Sequence, residues 1–289
     1  MRLLIKIIFY LSFFFTLLPY IIFVYENIGY GKKINLKELL ISFIKEFFSY
    51  VYLFSTWIFG FFKIENYIPR KTGIKTPVFI IPGYFLNRSS VFFLFYFLRN
   101  KGFENIFIIV PTPFTDSVEN LSYKSAKMIE EKLENIFADS KDIIIIGHSL
   151  GGIIAKYITE NQDKFDFEVK KCVTICSPHS GTRLAYFGIG KSSKDITPES
   201  KIIHGLKYVK DPSKYLCVCA KYDQLTIPYE SSFFDGAEKK EYNAFGHFSL
   251  LFSSDLADTI YEFLQRVQGI EKVPYHENYE EKRFIQEGS

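Results

Sequence analysis

Asp142-Ile-Ile-Ile-Ile-Gly-His-Ser-Leu-Gly-Gly-Ile-Ile-Ala-Lys-Tyr157 reads as a buried strand, a sharp turn and a helix. Four consecutive β-branched residues, Ile143 to Ile146, are apolar on both faces, as a central parallel strand covered by helices on each side requires. Gly147 and Gly151 flank Ser149 in a G-x-S-x-G pattern, where missing side chains let the helix pack close to the strand while the serine is held strained and exposed at the tip. The serine then sits at a helix N-terminus, whose free N–H groups favour developing negative charge. By composition alone such a pattern arises by chance in roughly one chain in ten of this length. Its weight comes from the apolar strand before it and the amphipathic helix after it.

The remaining chain fits an α/β protein. Its 289 residues are enough for one large domain and an appendage, with a core that needs no disulfides. Val78 to Ile81, Asn105 to Val110, Val169 to Ile175, Tyr215 to Ala220 and, more weakly, Glu241 to Phe245 read as further strands. Between them lie helical patterns at about Arg88 to Asn100, Leu121 to Phe137 and Leu250 to Leu264. Strands alternating with helices predict a mostly parallel sheet covered on both faces. Between Cys176 and Tyr215 the connection exceeds ordinary loop length. Thr197-Pro198 reads as a helix start there and Gly205 as a stop; a cap over residues 183–213 and an ordinary crossover helix fit it equally.

Toward the N-terminus the composition changes. Ile7 to Tyr25 is nineteen residues without a charge, about 28 Å as a helix and close to the hydrocarbon thickness of a bilayer. No small-residue cleavage pattern follows it, so a retained transmembrane anchor over 7–25 is expected rather than a signal peptide. A second apolar stretch, 39–62, carries Ser42, Lys45, Glu46, Ser49 and Thr56 as one narrow polar stripe. It fits the second arm of a membrane hairpin, an interfacial helix with its stripe toward water, or a cap on the catalytic domain. The expected organisation is a membrane anchor over 1–68, a catalytic domain over 69–267 and a charged tail over 268–289. Localisation at a membrane follows, with the bilayer as a partner and the side left open. A net charge of +3 without an arginine-rich stripe argues against nucleic acid. Cys172, Cys176, Cys217 and Cys219 fall on strands without a knuckle turn and read as small buried residues, so neither a metal nor a cofactor is expected. Protein partners are not indicated.

A serine nucleophile needs a base, an orienting acid and donors for an oxyanion. Of five histidines, His148 lies inside the elbow, His179 and His204 precede the acid, and His276 is in the charged tail. His247 remains, in a loop after the last strand, with Gly246 letting that loop turn. Asp223 follows the strand ending at Ala220 and is the expected acid; Asp211 and Asp235 are weaker rivals. The backbone N–H of Leu150 and that of Tyr84, in the turn after the first strand, are the expected oxyanion donors.

These segments together carry a resemblance. Phe79-Ile-Ile-Pro-Gly-Tyr84, the GHSLGG elbow, Ser177-Pro-His-Ser-Gly-Thr-Arg-Leu-Ala185, Asp223 with Pro228, and Gly246-His-Phe-Ser-Leu-Leu251 resemble α/β-hydrolase lipases and esterases, most of all the bacterial triacylglycerol-lipase-like group. The resemblance spans about 76–267. It implies an α/β-hydrolase fold with Ser149 as nucleophile, Asp223 as acid, His247 as base, Tyr84 and Leu150 as oxyanion donors, and a mainly structural role for the His179 loop. Many relatives carry His-Gly where this chain has Pro82-Gly83. The expected function is a membrane-anchored serine hydrolase cleaving carboxylic esters, lipid or acyl esters above all. Acyl transfer or thioester hydrolysis by the same triad, and a catalytically silent scaffold of the same fold, are the alternatives.

Overall fold

A computed structural model of the protein describes residues 2–62, 76–136 and 141–266. The expected boundary at 68/69 and the charged tail over 268–289 lie outside the described residues. Six parallel strands form one sheet in the order β2-β1-β3-β4-β5-β6: β1 (Val78–Ile81), β2 (Ile106–Ile108), β3 (Asp142–His148), β4 (Glu168–Ile175), β5 (Tyr215–Ala220) and β6 (Glu238–Tyr242). Alternation along each strand splits the core in two. Ile80, Ile144, Ile146, Val173 and Val218 point to one face, under α3 (Phe92–Asn100) and α8 (Ser254–Leu264). Phe79, Ile143, Ile145, Val169 and Tyr215 point to the other, under α4 (Val118–Ile136) and α5 (Leu150–Glu160). All four isoleucines of β3 are fully buried, as a strand sandwiched between helix layers must be.

Two expected elements move. The last strand runs over Glu238–Tyr242, not from Glu241 to Phe245. It is an edge strand with exposed Glu and Lys side chains, so hydrophobic periodicity does not mark it. In the long connection, α6 (Lys191–Asp195) and α7 (Lys201–Gly205) replace the single helix expected from Thr197-Pro198. Ser200 caps α7, its hydroxyl accepting from Ile203 N–H at 3.1 Å.

The N-terminal segments form an antiparallel helical pair, α1 (Arg2–Gly29) and α2 (Leu36–Thr56), with a 3₁₀ turn over Trp57–Phe61. Both arms are long and apolar enough to cross a membrane. The polar stripe of α2 turns inward: Ser42, Glu46 and Ser49 are buried against α1 and the sheet domain, while Leu40, Ile44 and Phe48 face out. Of the three readings of that stripe, this geometry is a cap's. Arg183 pairs with Glu26 at 2.7 Å, the Tyr222 hydroxyl donates to Glu38 at 2.9 Å, and Asn87 Nδ2 donates to Trp57 O at 2.9 Å. The pair is thus tied to the sheet domain along most of its length.

Close approach of α5 to the sheet depends on glycine. A Cβ at Gly151 would lie 2.1 Å from the carbonyl oxygen of Ile81, and one at Gly147 would lie 2.3 Å from that of Gly151. Both obstacles are backbone and cannot rotate away. Gly151→Ala should therefore lose about 2–3 kcal/mol of stability through overpacking. Gly205→Ala, with nothing within 4 Å of its Cβ, should stay within about 0.5 kcal/mol. Urea unfolding of the two variants checks the contrast.

Candidate active site

Ser149 stands between the end of β3 and the start of α5 with φ 55° and ψ −125°, a backbone region that essentially only glycine occupies without strain. Its N–H donates to the carbonyl of Ile175 on the neighbouring strand at 2.8 Å, which locks the turn to the sheet. Leu150 opens α5, so its N–H has no acceptor within the helix and points out of the turn. Across from it, the loop after β1 comes so close that a Cβ on Gly83 would lie 2.8 Å from the Ser149 Cβ. Tyr84 follows directly; its hydroxyl donates to the carbonyl of Ile189 at 2.5 Å, pinning the long connection beside Ser149.

The acid and the histidine arrive on the loops after β5 and β6. Asp223 is fully buried and its carboxylate accepts from the N–H groups of Leu225 at 2.9 Å and Thr226 at 2.7 Å. Each carboxylate oxygen lies 2.9 Å from His247 Nδ1, so that nitrogen carries a proton and Nε2 is the free basic position. Ser149 and His247 line one cavity of about 620 Å³, within the usual range for small-molecule sites. Leu184 and Phe187 of the long connection form part of its wall, and Phe15 and Leu18 of α1 another part.

Among the expected site residues, the structure brings Ser149, Tyr84 and His247 to this cavity, with Asp223 behind His247 and Leu150 at the helix start beneath Ser149. Two residues, His148 and Gln224, support the His247 loop in roles that the sequence reading does not assign. His148 is buried, and burial with the neighbouring His247 holds its imidazole well below the usual range, so it is neutral. Its Nε2–H donates to the carbonyl oxygen of His247 at 3.1 Å. Gln224 accepts the His247 N–H at 3.1 Å. His179 bonds Thr174 Oγ1 through Nε2 at 2.9 Å.

The donors near the site do not suit a metal. The Cys176 thiol, the Asp223 carboxylate and a His247 nitrogen lie within 4.8 Å of one another. Burial and then the Asp223 carboxylate push the Cys176 thiol well above its usual range, and the imidazole nitrogen facing Asp223 is already protonated. A metal needs thiolate and a free imidazole lone pair, and neither the Cys176 thiol nor His247 Nδ1 offers one in this arrangement. All four cysteines are buried and free. Lys156, nearly two turns along α5, is buried beside the Phe234 ring at 3.6 Å, and burial holds it down to about 8.

A parallel sheet, a strained serine between β3 and a helix, an aspartate after β5 and a histidine after β6 define one architecture. The chain has the α/β-hydrolase fold. A family model, the PGAP1-like alpha/beta domain, matches residues 117–189, the stretch around the elbow. Bacillus licheniformis lipase BlEst2 in its mature form is similar with a TM-score of 0.55 at 12% identity, over 69% of this chain and 96% of that one. Its propeptide form gives 0.56 at 13%, over 70% and 53%. Aspergillus fumigatus lipase B gives 0.53 at 15%, over 63% of this chain and half of the longer fungal one. No match is found among curated protein sequences.

The strain at Ser149 has a measurable counterpart. Replacing it with glycine removes the steric conflict and should raise stability by about 1 kcal/mol, the relief exceeding the added chain entropy. A higher midpoint in urea for Ser149→Gly than for wild type checks this.

Proposed function

We propose that the chain is a membrane-attached serine hydrolase that cleaves carboxylic esters of lipids. One observation carries the reading. The strained Ser149 and the Asp223-bonded His247 open on the same cavity, and α1 lines that cavity with apolar side chains. A polar wall would serve a soluble ester; Phe15, Leu18 and Leu184 serve an acyl chain.

The bond between His247 Nδ1 and Asp223 supports the following chemistry. His247 Nε2 takes the proton of Ser149 Oγ as the oxygen attacks the acyl carbonyl, and Asp223 stabilises the resulting imidazolium through Nδ1–H. Negative charge on the carbonyl oxygen is met by the N–H groups of Leu150 and Tyr84. Collapse breaks the ester C–O bond, and His247 returns the proton to the departing alkoxide, releasing an alcohol. Water, deprotonated by His247, then cleaves the acyl-serine to give the acid and restore Ser149.

Attachment follows from what α1 and α2 leave uncovered. Their inner faces are bonded to the sheet domain, so a broad apolar face of Leu4, Ile7, Phe9, Leu40, Ile44 and Phe48 is left for lipid. The cap then holds the cavity wall against the phase where lipid esters reside.

An ester panel from short soluble esters to dispersed long-chain lipids, run with wild type and Ser149→Ala, tests the chemistry. Long-chain turnover that falls by about 10⁴-fold or more in the variant is expected; undiminished turnover would overturn the assignment, and activity confined to short esters would remove its lipid part. A Leu40→Glu/Phe48→Glu variant should lose flotation with vesicles and keep short-ester turnover. Equal flotation would place the membrane contact elsewhere.

A further inference from the structure

The loop that carries His247 has little support from its own strand. It follows β6, an edge strand whose side chains are almost all exposed. Beyond the His148 contact to the His247 carbonyl, the backbone of this loop is held by the cap. Glu46 of α2 is fully buried, and its carboxylate gathers four contacts from three donors: Phe248 N–H at 2.9 and 3.2 Å to its two oxygens, Ser249 N–H at 2.8 Å, and Gln224 Nε2 at 2.7 Å. Gln224 passes the contact on, because its Oε1 accepts the His247 N–H at 3.1 Å. Gly246 permits the approach, since a Cβ there would lie 2.7 Å from both Glu46 Oε2 and the Tyr20 hydroxyl of α1. Its φ is not in the left-handed region, so closeness to the cap, not turning, is what calls for glycine.

Resting on the hydrolase reading above, we infer that Glu46 is a positioning residue for His247, through which the docked α1–α2 cap completes the active site. Donor and acceptor polarity fixes the arrangement. A carboxylate only accepts, so it forces the Gln224 amide to present its NH₂ to Glu46 and its oxygen to His247 N–H. A glutamine at position 46 breaks that order. If its oxygen faces Ser249 N–H, its NH₂ opposes that of Gln224; if Gln224 flips, NH₂ meets His247 N–H instead. Every orientation leaves two donors opposed in a site without water-exposed alternatives. The backbone on either side of His247 then loses its anchor, while the cavity that receives the acyl chain keeps its walls.

The same logic supplies the rescue. In E46Q/Q224E the carboxylate sits at position 224, where it accepts both from His247 N–H and from the side-chain amide now at position 46. The oxygen of that amide, at the Oε2 position, accepts from Ser249 N–H and from Phe248 N–H along its longer contact. The link from position 46 through position 224 to His247 N–H is restored and the net charge is unchanged.

The experiment measures kcat and KM on an ester that wild type turns over, together with the rate at which a fluorophosphonate labels Ser149, for wild type, E46Q, Q224E, E46Q/Q224E and E38Q. Folding is followed by circular dichroism. The expected result is a fall of about 10–100-fold in kcat and in labelling for E46Q, in keeping with a misplaced reacting group. KM should change little, and the double variant should return to within about threefold of wild type. E38Q, which removes the charge from the cap's hydrogen bond with Tyr222 and leaves the Glu46 contacts untouched, should keep wild-type kcat. A folded E46Q with kcat within twofold of wild type overturns the inference, and so does an E46Q loss that the double variant does not relieve. An equal kcat loss in E38Q would also overturn it, since cap docking in general would then be the cause. If neither single variant can be purified, a folded and active double variant supports the inference, and an inactive or unfolded one overturns it. Wild type inactive on every ester would instead defeat the hydrolase reading itself, a separate outcome.

Discussion

The distance between α5 and the carboxyl edge of the sheet governs this molecule. Gly147 and Gly151 let a helix begin where a backbone with side chains would collide with β1 and with itself. From that closeness the rest follows. The serine at the turn is pushed into a backbone conformation it would not choose, the helix N-terminus faces the cavity, and the Gly83 loop comes within contact of Ser149. Parallel strands then place every following loop on the same edge, so an aspartate after β5 and a histidine after β6 meet there although 24 residues separate them.

Around this edge the molecule has two walls of different origin. The long connection after β4 supplies Leu184 and Phe187, and the N-terminal pair supplies Phe15 and Leu18. The first is a loop elaboration of the sheet, as is usual where function sits on a rigid scaffold. The second comes from the start of the chain, returns across the top of the domain, and brings with it a carboxylate that the His247 loop uses. One helix thus carries an apolar exterior and a polar interior, and the interior meets backbone N–H groups of the His247 loop.

Much of the fold is legible in the sequence, for reasons particular to certain residues. Ile143 to Ile146, Cys172 to Ile175 and Tyr215 to Ala220 are dense, apolar and bounded by turns, so their burial on both faces can be read directly. The placing of Ser149, Asp223 and His247 on one edge of the sheet is legible through chain order and loop position. β6 is displaced because an exposed edge of Glu and Lys has no hydrophobic signature, and α7 because Ser200 competes with Thr197 as a cap. The direction of the α2 stripe is not legible: amphipathicity says that two faces differ, not which one is wet. Nor is Glu46, whose partners lie 178 and about 200 residues away in sequence and share no motif with it.

That separation sets an order of assembly. Glu46 leaves the ribosome 202 residues before Phe248, an interval on the order of 10–40 s at ordinary rates of synthesis. Throughout it the inner face of the helical pair, with its serines, tyrosines and lone carboxylate, has no sheet domain to receive it. The carboxylate of Glu46 therefore finds its backbone partners only when the last loop of the sheet domain is made.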